Sequence, residues 1–541
     1  MTQARTLAQV AARELARAGS AIVFGVPGGG NNLELIGAAE AEGMRFVLTH
    51  TETAAACMAG AHSELTGIPT ACVVTRGPGA ASSVNGVAQA WLDRQPVLVL
   101  ADAVPCEDKS RVSHQRLDQA ALFAPVTKWS GVLGASDPSE VMQQALDTAV
   151  SPRPGPVHLD FDPTATQQRP RPAGAEASGS LAALNDALAR CSKPVVVLGV
   201  GARRNSAAIR EMLNGTNIPV LQTYKAKGLV ADSSTNAAGL LTGATIEAPV
   251  LSAADAILAI GLDAVELIPG PWPYPAPLLS VSCWPEDSPY ARATVEVVGP
   301  LDQLIPAIDR LHDGWEAGFA RAERERGMES LCSGPSTGTG LAPWEVVRRL
   351  RAIAPPGSIA TVDAGAHMLV AMPLWTTEHA GEVLVSSGLA TMGFALPAAI
   401  AAALAKPDER TFALMGDGGL GMVLAELETA ARLKLPLTVV VFNDSTLSLI
   451  KIKQEALGQG GHGAVAYRAT DFAKVAQACG VPATRVSRGD ELDEAARHSL
   501  HAVGPVLLDV LVDPTGYPYI LDTIRGSRVT TRDLPPSEVP L

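Results

Sequence analysis

Short apolar, β-rich runs that alternate with Ala- and Gly-rich helical stretches recur in three series along this 541-residue chain, and that alternation limits its fold more than any other feature. The first series holds AIVFG (21–25), RFVLT (45–49), TACVVT (70–75) and PVLVLAD (96–102). The second holds PVVVLG (194–199), IPVLQT (218–223), AILAIG (256–261) and LLSVS (278–282). The third holds SIATVD (358–363), EVLVSS (382–387), RTFALMG (410–416), LTVVVFND (437–444) and PVLLDVLV (505–512). Strands separated by helices must run parallel, and a parallel sheet is stable only when helices cover both of its faces. The Pro/Gly/Ala/Ser-rich stretch 167–180 reads as a linker, and RAERERGMES with the Ser/Gly/Thr-rich 333–340 marks a second exit. The expectation is α/β: three doubly wound parallel-sheet domains in series, at 1–166, 181–325 and 341–541. Only 4% of residues are aromatic and 50 are glycine, which suits close helix-on-sheet packing rather than an aromatic recognition surface.

Net charge is −13, with no Lys/Arg block to follow a phosphate backbone, so nucleic acid is not an expected partner. A small anion can still bind at a helix N-terminus. The seven cysteines are odd in number and never form C-x-x-C, so they are expected to be reduced, buried thiols. The first 15 residues lack the apolar core of a signal peptide, and no apolar run reaches membrane-spanning length. The chain is expected to be soluble and cytoplasmic, with no membrane partner.

Segment 410–444 reads as strand, GDGG, amphipathic helix (421–435) and strand. In one right-handed βαβ unit, Asp417 and Asp444 then fall at the carboxyl ends of two parallel strands, on one edge of the sheet. Gly416, Gly418 and Gly419 let the backbone approach a ligand, and the following helix start offers N–H groups to phosphate oxygens. Mg²⁺ favours a few carboxylates completed by phosphate and water. Alone, a GDG turn is equally a plain strand-to-helix turn capped by its Asp. With the second acid added, the segment resembles the thiamine diphosphate enzyme family, whose fingerprint is GDG followed at a fixed interval by Asn-Asn or Asn-Asp. Here 27 positions separate Asp417 from Asp444. The resemblance implies Asp417 and Asp444 as side-chain metal ligands and Thr446 as a carbonyl ligand. The second ligand is usually Asn in the family; Asn443 to Thr446 resemble instead the Asn-Asp-Ser-Thr of catabolic, flavin-free acetolactate synthases.

Glu52 lies just beyond RFVLT, at the start of a helix of small residues, where an acid is also favoured simply by the helix dipole. The run His50-Thr51-Glu52 with Ala55, Met58 and Ala59, followed by Gly77-Pro78-Gly79, is similar to the family's frame around the glutamate that activates the cofactor. That likeness implies that Glu52 shares a proton with N1′ of the aminopyrimidine, a task a dry pocket assists by raising its pKa. It also implies that Glu52 of one subunit serves the diphosphate held by another, hence a homodimer at least, and a homotetramer by the same likeness.

Ser387 to Phe394 resemble the family segment in which a Met wedge bends the cofactor; Met392 is the candidate wedge, and the Ala390 carbonyl is expected to face the 4′-amino group. Gln115, in HQRLDQAALFAPVTK, resembles a Gln that faces the reacting carbons in acetolactate synthases and benzaldehyde lyases, although an isolated amide is as readily a surface residue. Lys128 has two open roles, a substrate carboxylate or a surface partner. The turn Pro27 to Asn32 contains no His, which rules out an imidazole acid–base step from that loop; Asn31 and Asn32 are either substrate contacts or turn residues. His367 falls in a D-x-G-x-H frame whose following amide is replaced by Met368. Gly199, Gly201 and Gly243 sit where FAD would lie in the biosynthetic synthases. The turn after AILAIG lacks their Arg residues, so FAD is not expected.

The resemblance covers nearly the whole chain and implies an enzyme, a transferase or lyase. Its expected reaction is thiamine diphosphate- and Mg²⁺-dependent decarboxylation of a 2-oxo acid with carboligation to a second carbonyl, as in acetolactate synthases. The alternatives are a simple decarboxylase or C–C lyase of benzoylformate decarboxylase type, and a silent homologue that keeps only the fold. The substrates are not legible, because pockets are built by loops from several domains.

Overall fold

The computed structural model describes residues 5–171, 177–243, 245–268, 272–286, 288, 291–456, 458 and 462–526. The middle of the expected linker, 172–176, and the end of the third unit, 527–541, lie outside the described residues.

The chain forms three six-stranded sheets in series, with every strand pair parallel. The first contains β1 (Ile22–Gly25), β2 (Arg45–Leu48), β3 (Thr70–Val74), β4 (Val97–Asp102), β5 (Trp129–Leu133) and β6 (Val157–Phe161). The second contains β7 (Pro194–Leu198), β8 (Val220–Gln222), β9 (Ala237–Leu240), β10 (Ala256–Ile260), β11 (Leu278–Ser282) and β12 (Val295–Val298). The third contains β13 (Ile359–Val362), β14 (Val383–Val385), β15 (Thr411–Gly416), β16 (Leu437–Asn443), β17 (Ala483–Val486) and β18 (Val506–Leu511). The outer sheets share one topology: the orders β2-β1-β3-β4-β6-β5 and β14-β13-β15-β16-β18-β17 differ only in numbering. The middle sheet runs β12-β11-β10-β7-β8-β9. In such sheets ligands bind beyond the carboxyl ends of the strands, where the order reverses; in the third sheet that point lies between β13 and β15.

Central strands such as β3, β4, β15 and β16 are buried along their length, which accounts for their unbroken apolar runs. The structure adds five strands that the sequence pattern missed: β5, β6, β9, β12 and β17. The expected amphipathic helix 421–435 is in fact two helices, Asp417–Met422 and Glu426–Leu433. Four glycines among residues 416–421 favour an early break, and the kink delivers Glu426 to the first domain.

Besides a core of its own in each, the first and third domains share one buried cluster. The helices Glu52–Thr66 and Ala395–Ala405 contribute Ala54 to Ala59, Ala61 and Ala395 to Ala403 to a common buried cluster. The middle domain closes a core of its own. The cysteines are all free, but only Cys57 and Cys72 are buried; Cys106 is exposed and the other four are half-buried, which corrects the expectation of seven buried thiols. Among the described residues no helix is long and apolar enough to cross a membrane.

Candidate active site

β15 and β16 are adjacent and parallel, and they carry Asp417 and Asp444 past their carboxyl ends. Asp417 is 6% exposed. Its Oδ2 accepts the Ser445 N–H at 2.5 Å and its Oδ1 that of Gly418 at 2.6 Å, so the first acid ties the two strand ends together. Asp444 Oδ1 accepts the Thr446 N–H at 3.0 Å, and its Oδ2 accepts the Ser448 hydroxyl. Burial, and after it the Asp417 charge, pushes the Asp444 carboxyl up to about 6 against the Ser448 bond. Burial also raises Asp417. Among the described residues no group of three or more His, Cys, Asp or Glu side chains is arranged to hold a metal. Two buried carboxylates that repel one another suit a hard cation that relieves their repulsion and fills its shell from backbone carbonyls, phosphate and water.

A cavity of about 480 Å³ opens here, lined by residues including Asp417, Gly418, Met422, Asn443, Ser445 and Tyr467. Met392 reaches the same place: its Cε lies 3.3 Å from where a Gly418 Cβ would stand. A side chain at Gly419 would place its Cβ 1.9 Å from Asp363 Oδ2, so only glycine fits. The fully buried Asp363 in turn accepts the N–H groups of Gly393, Phe394 and Ala395, which fixes the end of the Met392 segment. Two non-glycine residues of the cluster, Ala390 (φ 52°) and Ser445 (φ 58°), adopt the left-handed conformation, a strain common at ligand sites. His367 is stacked on Phe442, and burial lowers its pKa to about 4; its Nδ1 and Cε1 face Gly416, and its Nε2 is buried without a partner. A buried neutral ring stacked in this way packs the underside of the Gly416 turn.

Gly416, Asp417, Gly418, Gly419, Asp444 and Thr446 thus lie together at the ends of β15 and β16, Met392 reaches Gly418, and Ala390 stands two residues before Met392. Glu52 is elsewhere in the single chain's packing. It starts the Glu52–Thr66 helix, N-capped by Thr51, and its Oε1 lies 3.0 Å from where a Gly79 Cβ would stand, within the first domain. The sequence pattern gave no sign of Glu426. This residue, 1% exposed, accepts the N–H groups of His50 at 2.9 Å and Thr51 at 3.2 Å, binding the helix that carries Glu52 to the third domain.

Gln115 is exposed in a left-handed backbone (φ 55°), with its own backbone pressed against Gly77. The buried amide of that segment is Gln119, which bonds Gly77, Asp102 and Asp160. Lys128 donates to Ser151 at 2.6 Å and 2.9 Å, a contact inside its own domain. Asn31 donates to Asp102 at 2.9 Å, and Asn32 is buried with its amide nitrogen unpartnered. In the middle domain Gly199 and Gly201 allow the β7 and β10 turns to touch: a Gly199 Cβ would stand 2.3 Å from Leu262 Cα. Close packing accounts for those glycines without a ligand. Beyond the same turns Asp263 is gripped by Arg94 and Arg153 of the first domain.

Three family models match in chain order: the N-terminal TPP binding domain of thiamine pyrophosphate enzymes over residues 5–122, the central domain over 181–308 and the C-terminal TPP binding domain over 363–510. The acetolactate synthase of Bacillus subtilis is 30% identical over 91% of this chain and 90% of its own length. The chain belongs to the thiamine pyrophosphate enzyme family. Within it, the chain is acetolactate synthase-like, and it is an enzyme of transferase or lyase type. The catabolic acetolactate synthase of Raoultella terrigena is 29% identical, covering 94% of this chain and 95% of its own. A Rhodococcus jostii thiamine diphosphate-dependent 4-hydroxybenzoylformate decarboxylase superposes with a TM-score of 0.80 at 25% identity, over 94% of this chain and 99% of its own.

Proposed function

We propose that this thiamine pyrophosphate enzyme decarboxylates a 2-oxo acid and joins the resulting acyl unit to a second carbonyl, with Mg²⁺ as its metal. The observation that carries the reading is that Asp417 and Asp444 stand at the carboxyl ends of β15 and β16 with Met392 beside Gly418, next to a cavity that Asp417 and Gly418 line. Asp417, Asp444 and the Thr446 carbonyl hold the metal, with Gly416, Gly418 and Gly419 against the diphosphate. Met392 and the Ala390 carbonyl shape and orient the rings, and Glu52 of one subunit holds the proton at N1′ for the site of the other. When bound, the cofactor supplies a carbon nucleophile and an electron sink. The chain's part is to position, to exclude water and to manage that one proton. The protein is then a cytoplasmic homodimer at least, and a homotetramer in the fuller reading, with domains at 1–166, 181–325 and 341–541. Gln115 stays a candidate for the reacting carbons, since its exposure in one chain leaves it open to a second subunit.

A second reading, a simple decarboxylase, is supported by the likeness to the Rhodococcus enzyme along that enzyme's whole length. A panel of 2-oxo acids from pyruvate to aromatic and acidic analogues, assayed with thiamine diphosphate and Mg²⁺, separates the two. CO₂ with a ligated ketone supports the synthase, CO₂ with free aldehyde the decarboxylase, and no CO₂ from any member overturns both. Dialysis against EDTA is expected to release the cofactor and Mg²⁺ to restore it; retention without metal counts against the two-acid site. No flavin is proposed, so the purified protein is expected to be colourless, and a yellow absorbance band would reverse that reading.

A further inference from the structure

The segment 386–393 leaves β14 and carries both Ala390, in the left-handed conformation, and Met392. Its far end is held inside the third domain by Asp363. Its near end is held from outside. Asp93, just past the Pro78–Leu92 helix of the first domain, is 1% exposed, and its Oδ1 accepts the N–H groups of Ser387 at 3.1 Å and Gly388 at 2.9 Å. Its Oδ2 is fixed by the Gln89 amide at 2.6 Å. Lys225 of the middle domain, also buried, stands 3.9 Å from Asp93 and donates to the Val385 carbonyl at 3.1 Å, at the last residue of β14. A Cβ on Gly388 would lie 2.6 Å from Leu92 Cβ, so the backbone there is pressed onto the first domain.

Asp93 is also the C-cap of its own helix, the end at which the helix dipole disfavours an anion. Its helix does not explain the charge, but the two amides across the domain boundary do. Ionised acceptors in dry surroundings make the stronger kind of hydrogen bond, and two bonds to successive N–H groups fix the direction in which a backbone sets out. That direction decides where Ala390 and Met392 arrive. We propose that Asp93 is a positioning residue that reaches from the first domain to set the Ala390–Met392 segment against the cofactor. The inference rests on reading that segment as the one that shapes the cofactor.

The test compares Asp93→Ala and Asp93→Asn with the wild-type chain by amide hydrogen exchange without cofactor and by thiamine diphosphate titration with Mg²⁺. In Asp93→Ala, exchange over 386–394 is expected to quicken about tenfold while the peptides of β15 and β16 keep wild-type rates. Cofactor affinity and kcat fall while KM for the oxo acid holds, and Asp93→Asn, which keeps a neutral acceptor, lies between. Wild-type exchange and affinity in Asp93→Ala overturn the proposal, as does quickening spread evenly over all three sheets. If Asp93→Ala does not fold, identity of Asp93→Asn with wild type overturns it. Failure of the wild-type protein to bind thiamine diphosphate sinks the proposed function instead, while the exchange data still decide whether Asp93 holds the loop.

Discussion

Glu52→Gln preserves the size of the side chain and the helix start but removes the ionisable carboxyl. Turnover is therefore expected to drop about 10²–10⁴-fold while thiamine diphosphate still binds, and a near-normal steady-state rate would take Glu52 out of its role. At Asp444, Asn keeps an oxygen donor and relieves the repulsion with Asp417, so Asp444→Asn is expected to retain activity. Asp444→Ala is expected to weaken Mg²⁺-dependent cofactor retention by about an order of magnitude or more; equal retention by the two variants in equilibrium dialysis would show that the side chain is no ligand. The pairing of Asp417 with Asp444 was legible in the sequence because it is local, a turn and a strand end 27 positions apart. Lys128 was not, because its partner Ser151 is brought to it only by the fold. Asp93 and Glu426 were invisible for the same reason, with partners 294 and 376 positions away.

Two helix contacts give predictions at the next scale. Glu426→Ala leaves the His50 and Thr51 N–H groups without their acceptor, which is expected to cost about 1–3 kcal/mol in urea unfolding and to lower kcat by loosening the start of the Glu52 helix. An unchanged midpoint and rate would show that the cap is idle. Gly86 lets the Glu52–Thr66 and Pro78–Leu92 helices touch, since a Cβ there would lie 2.6 Å from the Thr53 carbonyl oxygen and 2.7 Å from Ala56 Cβ. Gly86→Val is accordingly expected to destabilise by about 1–3 kcal/mol or more, read as a lower denaturation midpoint. The buried central strands announced themselves as apolar runs. Among the strands that escaped notice, β17 (ATRV) and β12 (VEVV) carry polar residues at sheet edges, and β9 is only four residues of Ala, Gly and Leu. The break after Met422 was hidden because helical periodicity continues across it while the backbone turns.

At the scale of the molecule, Glu64 is the pivot of the joints between domains. Burial acts to raise its pKa, but Arg203 and Lys225 of the middle domain outweigh that and hold it down at about 2, below its ordinary 4.5. The depressed carboxyl contributes stability that is complete above about pH 4.5 and lost as pH falls toward 2. Glu64→Gln is expected to lose about 3–5 kcal/mol at neutral pH and to flatten the acid limb of a pH-stability curve; a parallel, unflattened limb would contradict this. If one subunit's Glu52 serves the other's metal site, co-folding inactive Glu52→Gln and Asp417→Ala chains restores activity toward about a quarter of wild type, the share of intact sites under random pairing. No recovery would mean that each chain completes its own site.

The alanine-lined interior common to the outer domains also makes a statement about heat. Each outer domain also has a core of its own, but the cluster they share ties the two together, and no residue of the middle domain belongs to it. Scanning calorimetry of the cofactor-free protein should resolve two endotherms, a larger one for the fused outer pair and a smaller one for the centre, and ligand titration should shift the larger one upward.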